Sequence, residues 1–190
     1  MVVGGSVGGR RLRVAARPGL RPTGDRARES LFNVLGGLDG LRVLDLFAGS
    51  GTLGIEALSR SAASAIFVER DRVTASVLWD NLVRCELEQS AELLVCDQRA
   101  ARRRLRNGRH SFDLLFLDPP YKWRNYEGLL MGLCDDGLVS HRARVIVEHA
   151  SGLELAALAS WEVLHELVFV NSTILILEVG VESGSGPAVQ

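Results

Sequence analysis

The sequence predicts an α/β domain built on a doubly wound, mostly parallel sheet. From Leu41 onward, short runs of near-continuous Val, Ile, Leu and Phe alternate with amphipathic stretches, the pattern of strands covered on both faces. A glycine-rich loop joins the first of these runs to the helix after it. The chain then closes on two adjacent strand-like runs, which breaks the alternation and predicts an antiparallel hairpin at the end of the sheet. Repeated strand–helix alternation before that implies right-handed βαβ units.

Taken in order, an Arg- and Gly-rich segment at 4–22 reads as a flexible basic arm. A helix follows at 25–35, with Asp25 or Thr23 as its cap, Leu31, Val34 and Leu35 as its apolar face, and Gly36-Gly37 as its stop. Strands are expected at LRVLDLF (41–47), AIFVE (65–69), ELLVC (92–96), FDLLFLD (112–118) and RVIVEH (144–149). Helices are expected between them at 52–60, 71–84, 97–106 and 124–133, where Thr74, Val77, Leu78 and Leu82 form one helical stripe. WEVLHELVFV and STILILEVG, separated only by Asn171, bring the sheet to seven strands. The organisation is thus a basic arm at 1–22, one domain at 23–182 and a flexible tail at 183–190.

A length of 190 residues with 47% hydrophobic and 24% charged side chains suits one domain with a full core, and excludes a disordered or fibrous chain. The net charge of −1 conceals an uneven distribution. Residues 1–30 carry seven arginines against Asp25 and Glu29, whereas residues 145–190 carry six carboxylates and no Lys or Arg. The acidic end is therefore expected to face away from an anionic partner. Lys122 is the only lysine. Arginine suits phosphate recognition, although Arg richness equally follows from genome base composition. A second cluster, Arg99, Arg102, Arg103, Arg104, Arg106 and Arg109, reads equally as a solvated helix face or as an RNA contact.

The three cysteines form no CxxC, the N-terminus has glycines where a signal peptide needs an apolar run, and no run reaches membrane-spanning length. A cytoplasmic protein with reduced thiols is expected. His110, His141, His149 and His165 lack metal-ligand spacing, so no metal is expected.

The loop after the first strand reads Asp45-Leu46-Phe47-Ala48-Gly49-Ser50-Gly51-Thr52-Leu53-Gly54, and its glycines satisfy GxGxxG. Glu69, at the end of the second strand, is placed to accept hydrogen bonds from ribose hydroxyls. On the loop alone, a nicotinamide-dependent oxidoreductase and an S-adenosylmethionine-dependent methyltransferase fit equally. Two acids separate them. Asp45 would repel a pyrophosphate but attract an ammonium, and Asp97 can accept an adenine amine, or else cap the helix that follows it.

FDLLFLDPPY is the most informative segment. It delivers Asp118, two prolines and an aromatic to the carboxyl edge of the fourth strand, where open α/β sheets bind ligands. Methylating an exocyclic amine requires acceptors for both of its N–H groups, because the lone pair is otherwise delocalised into the ring. Asp118 supplies one acceptor and the Pro119 carbonyl another, while Tyr121 can stack on an extruded base. A dehydrogenase has no use for this arrangement.

With RPTGDRARESLFNVL, VLDLFAGSGTLGIEALSRSAA, FVERD and FDLLFLDPPY in place, the chain resembles the bacterial 16S rRNA guanine-N2 methyltransferases from about Gly4 to Val179. The resemblance implies a Rossmann-like S-adenosylmethionine-dependent methyltransferase fold. It implies a cofactor site at Asp45, Phe47, Ala48, Gly49, Ser50, Gly51, Glu69, Arg70, Asp97 and Gln98, and a guanine site at Asp118, Pro119, Pro120 and Tyr121. Residues 21–33 would cover the cofactor's methionine end, and Arg10, Arg11, Arg13, Arg21, Thr23 and Arg26 would meet RNA. The implied partner is 16S rRNA in the small ribosomal subunit or its late assembly intermediate, met by a monomer. An amino-methyltransferase acting on adenine or on a protein amide is the alternative of the same design. The chain departs from the family pattern at Gly8, where a basic residue is common, at Gly24, where a second Thr is usual, and in STILILEV, which is unusually apolar for a surface strand near RNA.

Overall fold

A computed structural model describes residues 1–14, 24–120, 123–151 and 160–179. The described chain runs α1 (Asp25–Leu35), β1 (Arg42–Asp45), α2 (Thr52–Ser59), β2 (Ser64–Val68), α3 (Arg72–Cys85), β3 (Ala91–Leu94), α4 (Gln98–Asn107), β4 (Phe112–Leu117), α5 (Tyr126–Asp135), β5 (Val139–Ala150), β6 (Trp161–Val168) and β7 (Ser172–Val179). The seven strands form one sheet in the order β3-β2-β1-β4-β5-β7-β6. The first five are mutually parallel, and β7 is antiparallel to both β5 and β6. The predicted α/β sheet with a closing hairpin is the one observed.

Alternation along each strand feeds two apolar layers, which is why the central strands are continuously hydrophobic. Val43, Phe67, Phe116 and Ile146 pack with Phe32 of α1, Ile55 of α2 and Leu78 and Leu82 of α3. On the other face Leu44, Ile66, Leu115 and Val147 pack with Leu105 of α4 and Leu129 and Leu133 of α5. Arg102 and Arg106 of α4 both pair with Asp136, at 2.7 and 3.2 Å, and Arg104 pairs with Glu92 at 3.1 Å. Half of the second arginine cluster therefore holds the helix layer together, leaving Arg99, Arg103 and Arg109 exposed without an ion-pair partner among the described residues.

Four expectations are corrected. The N-terminal segment, read as a flexible arm, is packed down over residues 1–14, with Val2 and Val7 buried. The amides of Val3 and Gly4 donate to the two oxygens of Glu56 at 2.6 and 2.8 Å, Ser6 N donates to the Ser59 carbonyl, and Arg13 exchanges backbone bonds with the Asn81 side chain. Glu56, Ser59 and Asn81 are buried polar groups, and such groups need partners. The amino-terminal backbone supplies them. Residues 15–23 lie outside the described part.

Helix α1 begins at Gly24 with no side-chain cap, and Asp25 instead pairs with Arg28 at 2.6 Å and with the terminal ammonium at 3.7 Å. The apolar STILILEV run is no surface strand: β7 lies between β5 and β6, so Ile174–Leu177 are all buried. The exposed edge belongs to β6, which carries Val163, Leu164 and Val168 outward. Finally, β5 starts at Val139, well before its apolar run: Val139 pairs with Phe112, and the register then shifts through a bulge before regular pairing resumes with Arg144 opposite Leu114. Among the described residues no helix is long and apolar enough to cross a membrane.

The amino-terminal docking has a measurable consequence. Glu56→Ala strips the acceptor from two amides and from Arg60, which donates to it at 2.8 Å. The expected cost is about 2–4 kcal/mol of unfolding free energy, read by denaturant titration. Faster hydrogen exchange at Val3 and Gly4 should accompany it.

Candidate active site

The site forms at the carboxyl edge of the parallel strands, on either side of the point where strand order reverses between β1 and β4. Strand β1 ends at Asp45, and the loop beyond it is fastened to its neighbours by backbone. Leu46 N donates to the Phe116 carbonyl at 3.1 Å and Ala48 N to the Val68 carbonyl at 3.0 Å. Gly51, at φ 83°, occupies the left-handed region and opens α2. At Gly54 a Cβ would run into the Phe67 ring, so only glycine lets α2 sit this close to β2.

Each of the five parallel strands is followed at or near its carboxyl end by an acid: Asp45, Glu69, Asp97, Asp118 and Glu148. Asp45 is buried and accepts the Gly54 amide at 3.1 Å. Burial, opposed by that bond and reinforced by nearby Glu69, pushes its pKa up to about 7. Glu69 accepts Gly49 N at 3.1 Å with one oxygen and Asp71 N at 2.7 Å with the other, which ties the glycine loop to the end of β2. Asp97 is exposed and caps α4, its Oδ1 taking the amides of Arg99 at 2.8 Å and Ala100 at 3.0 Å. The Ala100 bond is the main cause holding its carboxyl below the ordinary range. The capping reading of Asp97 is therefore realised, through one oxygen only.

Asp118 extends β4 into the site. Burial, with Glu148 and Asp45 close by, raises its pKa well above the ordinary value. Pro119 is buried and Pro120 exposed, and the Pro120 carbonyl is engaged by Trp123 N at 2.7 Å. No donor among the described residues reaches the Pro119 carbonyl. Tyr121 lies outside the described residues. Trp123 packs edge-on against Phe47 at a centroid distance of 5.4 Å, joining the two loops. Its Nε1, like Oε1 of Gln98, is buried without a hydrogen-bond partner among the described residues. Buried orphan atoms of this kind, a donor and an acceptor beside an acid-lined loop, suit a polar organic ligand.

Of the other predicted residues, Ala48 and Ser50 are buried within the loop and Arg70 is exposed beside Glu69. Arg10 pairs with Glu86 at 3.0 Å and reaches the Arg84 carbonyl, and Arg13 lies 3.8 Å from Asp80. Arg11 and Arg26 are exposed. Arg21 and Thr23 lie outside the described residues. Glu148 is the residue that sequence reasoning did not assign, although RVIVEH carries an acid one residue from its end, much as AIFVE and FDLLFLD end on Glu69 and Asp118. A shallow groove of about 460 Å³ bordered by Arg42, Gln89 and His110 opens at the opposite, amino edge of the sheet, away from these groups.

Asp45 makes stability depend on pH. Its folded pKa is raised, so its contribution is fully present below the usual carboxylate range near pH 4 and is lost as pH rises through about 7. The change is on the order of 3–4 kcal/mol. Asp45→Asn, which keeps an acceptor for Gly54, should flatten the fall in Tm between pH 5 and pH 8; an unchanged slope would show that Asp45 does not titrate there.

The family described as Conserved hypothetical protein 95 matches residues 1–178. The chain belongs to this family. It is 38% identical over 168 residues to the ribosomal RNA small subunit methyltransferase D of Haemophilus influenzae, covering 87% of this chain and 86% of that one. It is 37% identical over 170 residues to the protein of the same name from Escherichia coli K12, covering 88% and 83%. A hypothetical protein of Thermus thermophilus superposes with a TM-score of 0.80 at 28% identity, over 94% of this chain and 98% of that one. The sheet described above is the Rossmann-like methyltransferase fold, and a putative methylase of Haemophilus influenzae superposes on it with a TM-score of 0.76 at 29% identity, over 95% of this chain and 98% of that one.

Proposed function

We propose that the chain transfers a methyl group from S-adenosylmethionine to the exocyclic N2 amine of a guanine in 16S rRNA of the small ribosomal subunit. The observation that carries this reading is Asp118-Pro119-Pro120 at the end of β4, next to the acid-flanked glycine loop of β1, in a chain whose relatives are named small subunit rRNA methyltransferases.

Asp45, Glu69 and the backbone of Phe47, Ala48, Gly49, Ser50 and Gly51 would hold the amino-acid and ribose parts of the cofactor. Asp97 has Oδ2 left for an adenine amine, with Gln98 and Arg70 alongside. When bound, S-adenosylmethionine supplies an activated sulfonium methyl, so no metal or covalent nucleophile is required of the protein. The protein's task is positioning and polarisation. The Asp118 carboxylate and the Pro119 carbonyl accept the two N–H groups of the amine and turn its lone pair out of the base plane. Tyr121 stacks on the base, and the Phe47–Trp123 pair keeps water out between the loops.

Arg11 and Arg26 are exposed cations available for phosphates, with Arg21 and Thr23 between them in sequence. Arg10 and Arg13 are already neutralised by Glu86 and Asp80 and contribute less. The target is an assembled or late-assembling subunit in the cytoplasm, met by a monomer. Incubation with labelled S-adenosylmethionine and small subunits lacking the modification, followed by nucleoside digestion, should yield N2-methylguanosine. A methylated adenosine, labelled protein, or preferential binding of NADH over S-adenosylhomocysteine overturns the reading.

A further inference from the structure

Glu148 stands in the site without a task in the scheme above. The pairing of Leu117 with Val147 on adjacent parallel strands carries forward to set Asp118 beside Glu148, and such strands run about 4.8 Å apart. Strand alternation gives Glu148 the face of Ile146 and Asp118 the face of Phe116, two residues earlier in each case. Phe116 and Ile146 belong to the same apolar layer, as does Val43, two residues before Asp45. Three acids from β1, β4 and β5 therefore stand along one face of the sheet edge. On its other side Glu148 is opposite Ile174 of β7. The negative charge of Glu148 acts on Asp118 and on the Tyr126 hydroxyl.

Two carboxylates crowded at a substrate site repel each other, and the ligand that relieves this is one rich in N–H donors. Candidate methyl acceptors differ in what flanks the amine. In adenine the neighbouring N1 is a lone pair, in cytosine N3 is a lone pair, and in a side-chain amide the neighbour is a carbonyl oxygen. Guanine alone places a further donor, N1–H, beside its amine. We propose that Glu148 accepts the N1–H of the target guanine while Asp118 and the Pro119 carbonyl hold the amine, and that it thereby selects guanine against bases with a lone pair in that place. This rests on the guanine reading above. It makes Glu148 a specificity residue, discriminating as much by repulsion as by attraction.

The test uses small subunits reconstituted with 16S rRNA carrying 2-aminopurine at the methylated position. That base keeps the N2 amine but presents N1 as an acceptor. The wild-type enzyme should prefer guanine by roughly 100-fold or more in kcat/KM, as a site built to accept a hydrogen rejects an analogue lacking it. Glu148→Gln offers an amide N–H to that acceptor, so the ratio should fall by at least about tenfold, with 2-aminopurine gaining in absolute rate. In Glu148→Ala the ratio should also fall, through loss of guanine turnover. Unchanged affinity for S-adenosylhomocysteine certifies each variant as folded, and the loss of the O6 atom in 2-aminopurine is common to all three enzymes. A ratio equal to wild type in both variants overturns the proposal. So does equal use of the two bases by the wild-type enzyme, which needs no variant. If wild type produces a nucleoside other than N2-methylguanosine, it is the guanine reading itself that fails.

Discussion

Asp118→Ala should lower turnover by on the order of 10²–10⁴-fold, the range expected when a positioned acceptor is removed from the reacting group. Affinity for S-adenosylhomocysteine should remain within about twofold of wild type, because the cofactor-holding groups lie on β1, β2 and β3 while Asp118 extends β4. Isothermal titration and single-turnover methylation separate the two quantities. Wild-type turnover in the variant would end the case for Asp118 as the amine's acceptor. The pH profile adds an independent check. Burial and the neighbouring charges of Glu148 and Asp45 raise the Asp118 pKa, and it is the ionised form that can accept both strongly and without donating. Activity should therefore rise with pH along a limb lying above the ordinary carboxylate range. In Glu148→Gln, with one negative neighbour gone, that limb should move to lower pH.

Gly51→Val should abolish cofactor binding, weakening S-adenosylhomocysteine by at least about 100-fold. Two causes act together. The position has φ 83°, a conformation that a β-branched residue resists. A Cβ there would also lie 2.9 Å from Leu78 Cγ and 3.1 Å from Ile55 Cδ1, both packed core atoms with little room to retreat. The loop must then shift away from α2 and α3, taking Gly49 and its bond to Glu69 with it. Circular dichroism should still report the helices. Near-normal affinity in the titration would remove the loop from the cofactor site.

The parallel strands were legible because both faces of the sheet are covered, so that burial and sequence pattern coincide. The glycine loop was legible because Gly51 and Gly54 are each demanded by geometry, one by backbone conformation and one by the Phe67 ring. The amino-terminal docking was not. Glu56, Ser59 and Asn81 are polar and sit on helices, which in sequence looks like solvent exposure. Only the folded chain shows that they are buried and that residues 2–13 supply their partners. Asp97 had two readings of equal chemical sense, and a carboxylate with two oxygens can serve both. The place of β7 was hidden for a topological reason. A hairpin's two strands can add to a sheet in either order, and nothing local to STILILEV says that the second strand, not the first, pairs with β5. Its apolar character was the available signal, and it pointed to the interior.

That strand order has a consequence for how the protein is made. Because β7 slots between β5 and β6, the last of the seven described strands to be synthesised is the one that joins the hairpin to the rest of the sheet. While the chain is still being extended, β5 presents one full row of unpaired backbone amides and carbonyls, with Val145 and Val147 along it, and Trp161–Val168 has nothing to pair with. Such an open edge is a template for joining another chain. A stop codon between Ala150 and Ser172 would leave that edge permanently exposed, with Glu148 at its rim. Premature termination there should therefore yield aggregates and not a slower enzyme.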